Sequence, residues 1–355
     1  MTDDVRFEVQ GAIGCITLDR QRALNSLTLE MIRAMQVQLD AWAEDPNIGA
    51  VLIEGAGEKS FCAGGDVVSV RRSRLEEGET GKPTKLMLDF FGEEYRLNRS
   101  IADYPKPYIA LLDGVTMGGG VGISVHGSFR IATERTLFAM PETGIGLFPD
   151  VGGGWFLPRC PGELGTYLAL TGAPVKAADC LYIEAATHFV PSDRLQALRA
   201  ELLSLDLKQD AAGRISVLLS EHSVSGGDAT LSEHRSIIDS AFAHDRIEDI
   251  LGALRAAGGS FCDETAAMLE HRSPTSLKVT LEMVRRGARC ASLAEDLAME
   301  FTMVQSFMIA GDFFEGVRAL LVDKDRAPKW SPPTLDAVTP EAVAAYFSPA
   351  GKIGL

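Results

Sequence analysis

The sequence predicts an α/β fold in which a parallel sheet, fed by strand, helix, strand units, is followed by a helical layer. Three observations predict it. Alternating or apolar runs at Val5–Gln10 and Ala12–Leu18 are followed by an amphipathic stripe and then by a short buried run at 51–54, an order that needs a crossover and parallel pairing. The strands of the first half lead into glycine-bearing loops, at 55–66 and 113–122. Beyond Cys160 the apolar spacing changes to the three-and-four pattern of helices. The chain therefore divides near residue 200, into residues 1–200 and a helical region 201–355.

Taken in order, the two runs about Gly11 form a hairpin, and Thr28 caps a helix whose stripe is Met31, Ile32, Met35, Leu39 and Trp42 and which Pro46 closes. The loop ending in Phe61, Cys62, Ala63, Gly64, Gly65 and Asp66 places Asp66 as the cap of a helix from Val67. Residues 71–85 are charged and glycine-containing and read as an exposed, mobile excursion. Met87, Phe90, Phe91, Leu97 and Ile101 then mark a helix with Glu94 inside its apolar stripe, where the carboxylate must reach solvent, a partner or a cavity. Tyr108–Leu112 is a buried strand, and Gly118, Gly119, Gly120 and Gly122 open a helix running to His126. Strands follow at Phe129–Ala132 and at 136–139. Later helices lie at 177–181 and 196–205, after Ser273-Pro274, after the capping box Ser292/Glu295, and after a second box Asp312/Glu315. Repeated strand, glycine loop and helix-start units gather helix N-termini, with their free N–H groups, at one sheet edge.

The chain is organised around the segment from Met140 to Trp155, which sets Glu142 and Asp150 eight positions apart among prolines and five glycines. Glycine lets backbone approach a ligand and proline fixes turns, so the segment can hold two acids rigidly beside a bound molecule. A loop in which Glu142 caps a neighbour and Asp150 starts the next helix is the structural alternative.

Length and a 46% hydrophobic content allow a full core. A net charge of 34 minus 49, or -15, argues against a nucleic-acid binder. Six scattered cysteines without metal spacing suit reduced thiols, and with an acidic, strand-like N-terminus and no long apolar run they lead us to expect a cytoplasmic protein without membrane association. The glycines near Gly118 lack dinucleotide-binding spacing, there is no phosphate-binding Gly-Lys-Ser/Thr, Gly122–His126 lacks the closing glycine of a nucleophile elbow, and the six histidines show no ligand spacing.

Phe61–Asp66, Gly118–Gly122 and Pro141–Gly153, in this order and spacing, resemble the enoyl-CoA hydratase/isomerase (crotonase) superfamily. The resemblance implies a spiral of ββα units over the first 200 residues and an acyl-CoA ligand, with residues 201–355 completing the site. It implies an oxyanion hole made by the backbone N–H groups of Gly65 and Gly119. Such donors can each contribute ~3 kcal/mol to a transition state in which a thioester oxygen gains charge. Hydratases of the family use two glutamates; here the first position is Gly122 and only the second, Glu142, is kept. Glu142 with Asp150 before Gly152–Gly154, together with His271–Lys278 and Asp312–Trp330, is similar to a branch that hydrolyses short 3-hydroxyacyl-CoAs such as 3-hydroxyisobutyryl-CoA in valine breakdown.

The catalytic residues so implied are Glu142 and Asp150, with Glu94, Gly119, Glu142 and Asp150 on the substrate. Arg22, Ala23, Leu24, Ala63, Asp66 and Lys324 take CoA, although Asp325 stands where an arginine often follows that lysine. No cofactor or metal is implied, CoA being part of the substrate, and homo-oligomerisation stays open. An enoyl-CoA hydratase or isomerase and a catalytically silent acyl-CoA-binding protein are the alternatives.

Overall fold

The computed structural model describes residues 2–78 and 81–348. Its compact units interleave along the chain. One comprises Met1–Gly65, Arg96–Ala139 and Pro174–Thr230, the other Asp66–Tyr95, Met140–Ala173 and Leu231–Leu355. A boundary near residue 200 does not follow this division. The helices Leu195–Ser204 and Ala211–His222 belong to the first unit because Leu198, Leu202, Ile215 and Leu219 join the core with Ile13, Leu52, Ile109 and Ile131 of its sheet.

The first unit carries all the described strands. β1 (Val5–Gln10), β2 (Ile13–Leu18), β3 (Ala50–Gly55), β4 (Ser60–Cys62), β5 (Tyr108–Leu112), β6 (Val115–Met117), β7 (Phe129–Ala132), β8 (Leu137–Ala139) and β9 (His188–Phe189) form two sheets. The larger has the order β1-β2-β3-β5-β7-β9 and the smaller β4-β6-β8. Of the strand pairs among the described residues, only the β1–β2 hairpin is antiparallel. The helix Leu29–Glu44, capped by the Thr28 hydroxyl on the Met31 N–H, makes the crossover from β2 to its parallel neighbour β3. It buries the expected stripe, and Gly14 lies where a Cβ would come within 2.6 Å of the Trp42 ring, so strand and helix pack at that contact only with glycine.

The second unit is helical. The Asp66 carboxylate accepts from the Ser69 N–H and caps Val67–Glu77. The excursion expected at 71–85 is thus a helix for its first half, because Arg74 is buried and donates to the Lys82 carbonyl while the Ser73 and Thr84 hydroxyls bond at 2.8 Å. Residues 79 and 80 lie outside the described residues. Ser273 caps Pro274–Gly287 and Ser292 caps Leu293–Phe307, as their sequence signals indicate. The Asp312/Glu315 box does not form. Asp312 instead accepts from the Ser273 hydroxyl and the Ser331 N–H, and Glu315 accepts from Arg318 and the Lys329 N–H, so both side chains tie the helix Gly311–Val317 to other segments. In the first unit, the helix expected through His126 is only Gly119–Gly122, its four residues all buried.

Candidate active site

The segment from Met140 is held in place by close backbone approaches within the helical unit. Glu142 opens the short 3-10 turn Glu142–Ile145, and the Thr143 hydroxyl donates to the Leu170 carbonyl at 3.0 Å. Gly146, at φ 72°, lies so near the Asp312 carbonyl that a Cβ would meet its oxygen at 2.3 Å. Gly316 approaches Ile145 as closely, at 2.4 Å. Side chains at either position would push the Glu142 turn off the helix Gly311–Val317. After Asp150 the chain turns through two successive left-handed residues, Val151 at φ 55° and Gly152 at φ 87°. A β-branched residue in that region is strained.

The helix Lys85–Ala102 supplies the remaining groups. Glu94 is 2% exposed, Glu142 and Asp150 are each 5% exposed, and Tyr95 is fully buried. The Tyr95 hydroxyl donates to Asp150 Oδ2 at 2.9 Å. Glu94 Oε1 and Glu142 Oε2 find no hydrogen-bond partner among the described residues. Burial, then the neighbouring Asp150 charge, pushes both glutamates well above the usual carboxylate range. Burial also pushes Asp150 up, to about 7, against the pull of the Tyr95 hydrogen bond. Three acids sense one another in a low-dielectric site, so not all can ionise at neutral pH. Two inward-facing oxygens without donors are the arrangement expected of acids that meet a ligand.

The structure thus brings Glu94, Glu142 and Asp150, the three acids singled out in the sequence, within reach of one another's charge. Sequence reasoning missed Tyr95, whose position beside Glu94 carried no separate signal. It also missed Asp296 and Glu300, fully buried on the helix Leu293–Phe307. Glu300 falls three residues after Leu297 and four before Val304, on the apolar stripe, which is the same signal that drew attention to Glu94.

In the sheet-bearing unit the two glycine loops come together. The Leu27 N–H donates to the Gly64 carbonyl, and Leu27 bridges to Gly65 in parallel fashion. Gly64, at φ 111°, lies where a Cβ would stand 3.5 Å from the Met117 carbonyl and 4.0 Å from the Gly119 nitrogen. Gly119 begins its short helix, where amides have no intrahelical acceptor. The Ala63 N–H donates to the Leu24 carbonyl at 3.0 Å, joining two of the segments expected at CoA. Arg22 is exposed and paired with Asp4 at 3.2 Å. In the helical unit Lys324 is exposed with φ 59°, and its neighbour Asp325 is held by Arg318 at 2.7 Å.

A sheet of this order, two adjoining glycine loops and a buried trio of carboxyls define a class, and a family model confirms it: residues 13–347 match the model described as Enoyl-CoA hydratase/isomerase, and the chain belongs to that family. Within it, the chain is 49% identical over 357 residues to the 3-hydroxyisobutyryl-CoA hydrolase, mitochondrial, of Rattus norvegicus, covering 99% of this chain and 90% of that one. It is 46% identical to the protein of the same name from Homo sapiens, again covering 99% and 90%. Among solved structures, a carnitinyl-CoA dehydratase from Mycobacterium thermoresistibile is 41% identical with a TM-score of 0.92, each chain 99% covered. An enoyl-CoA hydratase from Rhodobacter sphaeroides 2.4.1 is 34% identical with a TM-score of 0.90, over 99% of this chain and 100% of that one. The crotonase-type α/β fold is thus the chain's fold, and no described helix is long and apolar enough to cross a membrane.

Proposed function

We propose that this protein hydrolyses the thioester of 3-hydroxyisobutyryl-CoA, or of a close short 3-hydroxyacyl-CoA, to the hydroxy acid and CoA, a step of valine breakdown. The observation that carries this reading is the buried trio Glu94, Glu142 and Asp150, in a chain where the other acid of a hydratase is replaced by Gly122, which is buried and has no side chain. The curated relatives' names support the same substrate.

Glu142 acts on the thioester carbon. It either attacks it, expelling the CoA thiolate and leaving a mixed anhydride that water cleaves, or takes a proton from a water that attacks directly. Either route consumes one water and calls on no cofactor or metal. Burial that raises the Glu142 pKa makes its carboxylate the stronger base and nucleophile once it ionises. Asp150 accepts from the substrate 3-hydroxyl and protonated Glu94 donates to its oxygen, and a substrate without it leaves both acids unsatisfied. The family resemblance assigns the thioester oxygen to the N–H groups of Gly65 and Gly119. It assigns CoA to Arg22, Ala23, Leu24, Ala63, Asp66 and Lys324. The cysteine pattern supports a reducing compartment such as the cytoplasm, whereas the vertebrate relatives are named mitochondrial.

The test is thiol release from a panel of acyl-CoAs, with absorbance read in parallel for hydration. Cleavage of 3-hydroxyisobutyryl-CoA with a kcat/KM far above that for isobutyryl-CoA is expected. Equal constants for the two overturn the hydroxyl reading. The names of the two solved structures favour a second reading, hydration or dehydration of an enoyl-CoA. Loss of enoyl absorbance without thiol release establishes it.

A further inference from the structure

We propose that Glu300 is a positioning residue for the reaction, holding the backbone beyond Asp150 so that the Asp150 carboxyl meets the substrate in a fixed place. The inference rests on the reading above for its catalytic consequence and on geometry for the rest. Glu300 is fully buried, and each of its oxygens takes one backbone donor: Oε2 the Gly152 N–H at 2.9 Å and Oε1 the Gly154 N–H at 3.0 Å. These amides flank the point where the chain leaves Asp150, through Val151 at φ 55° and Gly152 at φ 87°. Strain of this kind persists only where neighbours over-determine it, and a carboxyl bridging two amides does so.

Two further contacts tie the same helix to the site. Phe301, next to Glu300, meets the Tyr95 ring edge-on at 6.5 Å between centroids, and Tyr95 holds Asp150. Gly154 is packed so tightly that a Cβ would lie 2.2 Å from Asp296 Oδ1, one helical turn before Glu300.

The charges facing Glu300 come from every element packed around it. Asp296 and Asp150 oppose its ionisation, whereas the two glycine amides favour it, and burial raises its pKa well above the usual range. Asp296 is itself pushed up to about 7 by burial, drawn back by Glu300, by the Arg159 cation and by the Trp155 amide, and raised by Glu295. Across the site Glu94 and Glu142 also feel Asp150. Asp150 itself is moved by burial, by the Tyr95 hydroxyl and by its own backbone, so Glu300 acts on it through the amides it holds.

The test is Glu300→Gln, which keeps the shape and one acceptor but cannot ionise. Two readouts are followed against pH: kcat and KM for 3-hydroxyisobutyryl-CoA, and the carboxyl ¹³C shift of Asp150 in aspartate-labelled protein, assigned with Asp150→Asn. Expected are a kcat lower by ~10- to 10²-fold, a KM changed by less than about threefold, and an Asp150 carboxyl signal displaced in position with its midpoint kept. Circular dichroism establishes that the variant is folded. Unchanged kcat with an undisplaced Asp150 signal overturns the proposal. A loss of kcat with the Asp150 signal in place also overturns it, leaving Glu300 a structural brace. If the wild-type chain releases no thiol from any acyl-CoA, the functional reading fails, while the Asp150 signal still decides whether Glu300 positions it.

Discussion

Among the described residues, the sheet-bearing and helical units each leave some buried neutral polar atoms without a partner, Asn98 in the first and Thr280 in the second, but they differ in their buried acids. In the first, Asn25 is 1% exposed yet donates to the Ala56 and Ser60 carbonyls and accepts from the Arg20 N–H. Thr133 and Thr136 are tied in the same way, to Asp113 and to the Leu112 carbonyl. In the second, Glu94 Oε1 and Glu142 Oε2 are buried without a donor. Among the described residues, every donorless buried carboxyl oxygen belongs to the helical unit. Satisfied groups specify a fold, whereas unsatisfied acids raise their own pKa values and wait for a ligand. Among the described residues, the unpaired buried carboxyl oxygens thus fall to one unit alone.

The largest effect that could break this division of labour is at Glu142. Glu142→Gln keeps the size and removes the charge that either a nucleophile or a general base needs, so turnover should fall ~10²- to 10⁴-fold with binding of a non-hydrolysable CoA analogue retained. Calorimetric titration beside single-turnover kinetics checks both halves. Ordinary turnover in the variant places the chemistry elsewhere. In the other unit, Gly119→Pro removes a backbone donor and should cost ~10²-fold in kcat. A folded Gly119→Pro protein that turns over normally shows that this amide is no oxyanion donor.

A third prediction concerns stability and sharpens the contrast, since it follows from buried acids alone. Asp150 has an ordinary value of 3.8 and a folded value of about 7, so the folded protein binds this proton more tightly than the unfolded chain. Protonated Asp150 therefore favours the fold fully at pH values below the unfolded pKa. That contribution is lost as pH rises through the folded value. The loss, about three units, is on the order of 4 kcal/mol. Wild-type Tm should fall between about pH 4 and about pH 7, and Asp150→Asn should flatten that fall while lowering activity and the preference for hydroxylated substrate. Thermal melts of both proteins at several pH values decide it. Parallel curves would mean that Asp150 titrates alike in folded and unfolded chains.

The two units also differ in how much the sequence disclosed. The hairpin, the crossover helix capped by Thr28 and strand β5 were legible because alternation, stripe and cap agree at each. The acids Glu94, Glu142 and Asp150 were legible because carboxylates in an apolar stripe or a rigid glycine-proline loop cost free energy unless they act. The interleaving of the units was not, since it depends on long-range packing of Leu198, Leu202 and Ile215 on a sheet whose strands span residues 5–189. Of the small sheet only β8 was read, within 136–139; β4 and β6 were missed because they have three residues each, too few for alternation to show. The Asp312/Glu315 box misled because the same residues serve tertiary contacts, which spacing along one helix cannot reveal.

The smallest expected effect tests the basic residues assigned to CoA, one in each unit. Arg22 is a surface cation whose side chain is 75% exposed, held only by a rim contact to Asp4. Lys324 is also exposed, and the neighbouring Asp325 shares the single Arg318 cation with Glu315 and Asp323. An exposed ion pair is worth little, so Arg22→Gln and Lys324→Gln should each raise KM by about two- to fivefold while leaving kcat unchanged. Because the CoA end carries several negative charges, the wild-type KM should rise with salt, and each variant should show a shallower rise as one screened attraction disappears. A KM that moves for only one of the two assigns the phosphate contact to that unit. If neither KM nor its salt dependence moves, both cations are solvated surface charges and CoA is held by the backbone of the Leu24 and Ala63 segments instead.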